Sequence, residues 1–150
     1  MMDRFEEIVK ELGAIVNLPL HLDKQGRVRL NVNQLFSVQL EFEPDKERIL
    51  IASFLCEMPP GKFRENLFKE CLKTNFFVPT IGILGLSQRN NQLVLFDYLP
   101  IQKLTGQKLA DFLTIFFQKA DLWRTAVQTG VLTPITQVKS QNPSLFDLKP

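Results

Sequence analysis

The sequence predicts an α+β domain with an antiparallel, twisted sheet packed with helices, in the order α-β-β-β-α-β-β-α. Three observations carry this reading. Apolar residues recur at helical spacing in three separated stretches. Strict apolar/polar alternation, the signature of a half-buried strand, runs from Val28 to Val32 and again from Phe36 to Phe42. The connections between the first three strand-like runs are too short for crossover helices, so those strands form an antiparallel meander.

In the first stretch Phe5, Ile8, Val9, Leu12 and Val16 share one face, and Glu6, Glu7, Lys10 and Glu11 face water. Asp3 is placed to cap this helix, with Glu6 as its capping-box partner, and Asn17 and Pro19 end it. After the turn Asp23-Lys-Gln-Gly26, Val28, Leu30 and Val32 alternate with Arg27, Arg29 and Asn31. Asn33-Gln34 connects to a second strand bearing Phe36, Val38, Leu40 and Phe42. Pro44-Asp45-Lys46 then turns the chain into a third, Arg48 to Glu57. That strand is apolar on both faces, with Ile49, Ile51 and Leu55 on one and Leu50, Ala52, Phe54 and Cys56 on the other. Both faces therefore need cover.

Met58-Pro59-Pro60-Gly61 breaks the strand. A second helix is expected from about Lys62 to Lys73, carrying Phe63, Leu67, Cys71 and Leu72, with Phe68 beside them. Phe76-Phe77-Val78-Pro79 is an apolar link to a hairpin, Ile81–Leu86 and Leu93–Leu99, joined through Gln88–Gln92. Pro100 closes it, and Thr105 offers an N-cap hydroxyl. Leu109, Phe112, Leu113, Phe116, Ala120, Trp123 and Val127 form the stripe of a long last helix, stopped by Gly130. Residues 1–130 thus read as one domain. The tail, residues 131–150, has three prolines and no period, and is expected to be irregular or disordered, with Leu145-Phe146 as a docking point.

Composition narrows the function classes. Eighteen basic and 16 acidic residues leave a net charge of +2, without the one-sided pattern that nucleic acid or a membrane surface demands. No apolar run reaches the roughly 20 residues that span a bilayer, and the charged start is no signal peptide. Two cysteines, Cys56 and Cys71, each within an apolar period, point to a reducing cytoplasm and give neither a disulfide framework nor a metal site. His21 is the only histidine, and no nucleophile motif flanks it. Gly82-Ile-Leu-Gly85 lacks phosphate-binding spacing, so its glycines are read as a bulge or a close backbone approach. No catalytic constellation and no cofactor or metal site emerges. What remains is surplus apolar surface: thirteen Phe in 150 residues and a two-faced third strand, a pattern that marks association with another chain. A small α/β domain with an apolar ligand pocket, enzymatic or not, is the competing reading, and a cytoplasmic regulatory adaptor is a third.

In order and spacing the chain resembles the class I type III secretion chaperones, the Tir-chaperone and Yop-chaperone-like family, from about Phe5 to Thr129. The motifs that carry the resemblance are Leu-Gly-Ala-Ile-Val-Asn-Leu-Pro-Leu (12–20), Leu-Asp-Lys-Gln-Gly (22–26) and Leu-Cys-Glu-Met-Pro (55–59). To these add Ile-Gly-Ile-Leu-Gly-Leu (81–86), Leu-Val-Leu-Phe-Asp-Tyr-Leu-Pro (93–100), and Phe116 with Ala-Asp-Leu-Trp-Arg (120–124). The resemblance implies a cytoplasmic homodimer that holds the N-terminal segment of a secreted effector protein extended, without ATP or small-molecule substrate. It places the dimer contact on Phe63, Leu67, Phe68, Ile81, Ile83 and Leu84, and the effector surface on Leu35, Leu50, Ala52 and Phe54, with the first helix. The family is usually acidic; this chain is slightly basic.

Overall fold

Helix α1 (Met2–Val16) buries Phe5, Ile8, Val9 and Leu12 and ends where Asn17 takes a left-handed backbone (φ 57°). The Leu18 N–H then donates to the Gly13 carbonyl at 3.0 Å, closing the last turn. The structure, a computed structural model, describes residues 2–76 and 81–132. Within them follow β1 (Arg27–Val32), β2 (Phe36–Glu43), a 3₁₀ turn (Pro44–Lys46), β3 (Arg48–Glu57), α2 (Gly61–Phe76), β4 (Ile83–Ser87), β5 (Gln92–Pro100) and α3 (Gly106–Thr129). This is the expected α+β order. The tail from residue 133 and the link at 77–80 lie outside the described residues, and with them the Leu145-Phe146 docking point.

The five strands form one antiparallel sheet in the order β1-β2-β3-β5-β4. β3 is central, with both of its edges paired; its inner face, with Ile49, Ile51 and Leu55, is buried in the core, and its outer face carries Leu50, Ala52 and Phe54. On the inner face Val28, Leu40 and Ile51 stand in one cross-strand row. Helices α1 and α3 pack against each other, and α3 lies against β3. Phe5 of α1 stacks on Phe42 of β2 with ring centroids 5.8 Å apart. Trp123, Phe116 and Leu109 of α3 are almost wholly buried in the same core. Truncating a buried aromatic such as Trp123 to alanine costs roughly 3–5 kcal/mol. Ser53, the one polar residue of that layer among the described buried residues, donates its hydroxyl to the Ser37 carbonyl at 2.7 Å, so its burial is compensated.

The expected cap of α3 is present: Thr105 Oγ1 accepts from the Lys108 N–H at 3.1 Å. Gly130 (φ 72°) ends the helix, with its N–H donating to the Val127 carbonyl and the Val131 N–H reaching back to Ala126.

Several details differ from the sequence reading. Asp3 lies inside the first turn of α1 rather than before it, where its charge favours the positive end of the helix instead of capping it. Val16 is exposed, because the stripe of α1 leaves the core one turn before the helix ends. Helix α2 extends to Phe76, and Leu72, expected in its apolar stripe, is 70% exposed. β4 begins at Ile83, so Gly82 precedes the strand. Gly82 (φ 86°) is approached by a side chain and not by a backbone: an added Cβ would lie 2.7 Å from Leu95 Cδ1. Gly85 is uncrowded, and the bulge of this sheet sits instead in β3, between Phe54 and Cys56.

Candidate functional site

Three strands combine to make an apolar field on the outer face of the sheet. Leu50 pairs with Tyr98, Ala52 with Phe96, and Phe54 with Val94; Phe96 and Val94 then pair onward with Ile83 and Gly85. Side chains on a pleated sheet alternate between faces, so all of these point away from the core that Ile49, Ile51 and Leu95 fill. Phe54 is 53% exposed, and Leu50, Ala52, Phe96, Tyr98 and Ile83 are half-buried. Phe96 and Tyr98 meet edge to face at 6.0 Å, and the Arg48 guanidinium lies 3.6 Å over the Tyr98 ring while pairing with Glu43. Toward β2 and β1 the same face turns polar, through Gln39, Glu41, Arg27 and Arg29. The outer face is thus divided, apolar over β3-β5-β4 and charged over β2-β1.

Leu35, at the tip of the β1–β2 hairpin, is exposed. Residues Asn33 and Gln34 before it both hold positive φ (51° and 61°), in a turn closed by the Leu35 N–H donating to the Val32 carbonyl at 2.9 Å. The antiparallel register of β2 with β3 brings this tip to the end of the sheet where Phe54 stands. Leu50, Ala52 and Phe54 therefore share the outer face, and Leu35 stands at the end of the sheet nearest Phe54. They are joined by Val94, Phe96 and Tyr98, which the sequence reading had assigned only to a hairpin strand. Their signal was the period-two alternation of β5, whose two faces are both apolar.

A second surface lies along α1. An open groove of about 710 Å³ runs between α1 and the segment that follows it, lined by Val9, Lys10, Gly13, Leu18, Leu20 and Leu22. Gly13 keeps the groove tight, since a Cβ there would meet the Leu18 carbonyl at 2.9 Å. His21 also lines it, exposed and without a neighbouring nucleophile.

The residues expected at a contact between copies gather around α2 and β4. Leu67 and Leu84 are inside the chain's own core, at 0% and 4% exposure, and Phe63, Phe68, Ile81 and Ile83 are half-buried above them. Sequence reasoning, which expected Phe68 here, missed that Leu72 and Phe76 continue from it outward at four-residue steps, with Phe76 84% exposed. The Arg64 guanidinium extends this stripe, 5.0 Å from the Phe68 ring, and is held by Asn91 at 2.9 Å.

Among the described residues no cluster of His, Cys, Asp and Glu could hold a metal ion, and no helix is long and apolar enough to cross a membrane. Burial pushes the Cys56 thiol up from its ordinary pKa, with Arg124 opposing, so Cys56 is not an activated nucleophile. Cys71 is buried.

The sheet thus carries α3, packed with α1, against its inner face and a partly exposed apolar field on its outer one. The chain belongs to the Tir chaperone protein (CesT) family, whose model matches residues 7–124. Among solved structures it is similar to a chain of the HopA1–SchA chaperone–effector complex, with TM-score 0.70 and 18% identity over 83% of this chain and 95% of that one. A chain of the ExsC–ExsE complex gives 0.68 and 17% over 85% and 96%. A chain of the ExoT–SpcS complex from Pseudomonas aeruginosa gives 0.62 and 18% over 81% and 97%. Among curated proteins none matches.

Proposed function

We propose that this protein is a type III secretion chaperone that binds an extended segment of a secreted effector on its outer sheet face and along α1, as a homodimer in the cytoplasm. The observation that carries the reading is the apolar field of Leu50, Ala52, Phe54, Phe96 and Tyr98, left open in a chain of the CesT family. An extended peptide places alternate side chains on such a surface, and its own charged residues can face Arg27 and Arg29 beyond the field. Solved relatives in which a chaperone is bound to its effector support the same use of the fold. The contact between copies is assigned to Phe63, Phe68, Ile81 and Ile83, with Leu67 and Leu84 supporting them from the core. Binding of this kind requires no catalytic group, cofactor or metal.

The test is capture of partner from the native cytoplasm, with Phe54→Asp alongside. Because Phe54 is half in solvent, its substitution should leave the fold intact while partner capture falls at least tenfold. Leu50→Asp should act in the same direction. Recovery of a small apolar ligand and no polypeptide would overturn the chaperone reading in favour of a ligand-binding domain.

A further inference from the structure

An edge strand presents unpaired backbone groups, and a bare edge next to an apolar helix invites a strand from a second copy. β4 is such an edge, because β5 occupies only its other side. Yet its outward backbone is already used. Asn75, in the last turn of α2, donates from Nδ2 to the Leu84 carbonyl at 2.8 Å and accepts the Leu84 N–H on Oδ1 at 2.9 Å. A carboxamide carries one acceptor and a donor on a single planar group, so it reproduces what a neighbouring strand would offer. Just before the strand, Gly82 is held by side chains of β5 and α3. Its N–H donates to Asp97 Oδ2 at 2.7 Å, and its carbonyl accepts from Lys119 Nζ at 2.7 Å, with Ile81 sharing that ammonium at 3.1 Å. In an antiparallel ladder alternate residues turn outward, so only Leu86 of this five-residue strand remains for pairing.

We propose that Asn75 is an edge guard. Its carboxamide closes β4 to strand addition by a second copy, so that contact between copies is made by side chains of α2 and β4 and not by a shared sheet. The last clause rests on the homodimer reading above; the guard itself does not.

Residue-resolved amide exchange tests it. In the wild type the Leu84 amide should be protected to the same degree at all protein concentrations. In Asn75→Ala it should exchange at least tenfold faster when dilute, then slow again as concentration rises and species larger than the wild-type assembly appear. Asn75→Ser, too short to reach both Leu84 groups, should behave alike. Unchanged protection of Leu84 in these variants overturns the proposal. So does fast exchange that ignores concentration, with the wild-type assembly retained. Loss of the fold in both variants overturns it as well, because Asn75 would then be a stabiliser of its own chain. A wild type that sediments as a monomer removes the homodimer reading and leaves the guard standing.

Discussion

The carboxylate of Glu11, in the third turn of α1, accepts a hydrogen bond from the N–H of Gly106, the first residue of α3, at 2.7 Å. The first N–H groups of a helix have no partner within it, and the helix end carries a partial positive charge. One orphan goes to the Thr105 hydroxyl and another to a carboxylate from a different helix. Arg4 adds a second tie, donating to the Leu104 carbonyl. The two helices approach so closely there that a Cβ on Gly106 would fall 2.3 Å from Glu11 Cβ and 2.9 Å from the Glu11 carbonyl carbon and the Leu12 nitrogen.

Because two of those three atoms are backbone, Gly106→Ala has no side chain to push aside. It should destabilise the protein by about 1–3 kcal/mol, as overpacked sites do. Glu11→Ala, which removes only the hydrogen bond and charge, should cost about 1 kcal/mol. Denaturant unfolding of the two variants measures both. Equal costs would mean that the acceptor and not the close approach governs this contact.

The Asp23 carboxylate accepts the Arg27 and Gln25 N–H groups at 2.9 and 2.8 Å, in the turn that leads into β1. The Arg27 N–H is the main reason its pKa is lowered, since a hydrogen bond to the charged form favours ionisation. A depressed folded pKa contributes stability above the unfolded value, and that contribution disappears as pH falls through the folded one. An NMR titration should place the Asp23 midpoint below the ordinary aspartate value of 3.8. A midpoint at or above it would show that this turn does not prefer the ionised side chain.

Cys56 should alkylate more slowly than a cysteine in an unfolded peptide at neutral pH, its rate rising only above the ordinary thiol value of 9.0. Burial disfavours the thiolate, and Arg124 only partly compensates. Cys56→Ala should cost on the order of 1 kcal/mol through lost packing and leave partner capture unchanged. Fast alkylation at pH 7 would contradict the burial argument.

Leu72→Lys and Phe76→Lys should weaken self-association while leaving unfolding midpoints almost unchanged, because both side chains are already in solvent within the single chain. A fully buried apolar side chain contributes about 1.5–3 kcal/mol, so each substitution should raise the dimer dissociation constant by roughly 10- to 100-fold. Sedimentation equilibrium reads this directly. A dissociation constant insensitive to both changes would place the contact elsewhere.

What the sequence by itself determined is whatever local geometry imposes. Alternation in β1, β2 and β3 followed from the pleat, which allows side chains only two directions. The α3 boundaries were written in Thr105 and Gly130, whose cap chemistry acts within one turn. The two apolar faces of β3 announced a surface in need of cover, which is the face that makes the candidate site; its central place in the sheet did not show. The homology-bearing motifs announced the family. Other features had no local signal. Helix α2 has apolar residues spread widely around its circumference, so its period could not say whether Leu72 faced the core or water; packing against β4 decided that. The position of β5 between β3 and β4 is a choice among pairings, made when the whole apolar inner face closes under α1 and α3. Glu11 meets Gly106 across 95 residues, and Asn75 meets Leu84 across nine. Such contacts depend on where two elements come to rest, and only the tertiary structure decides that, because the free energy of packing belongs to the assembled core and not to any one segment.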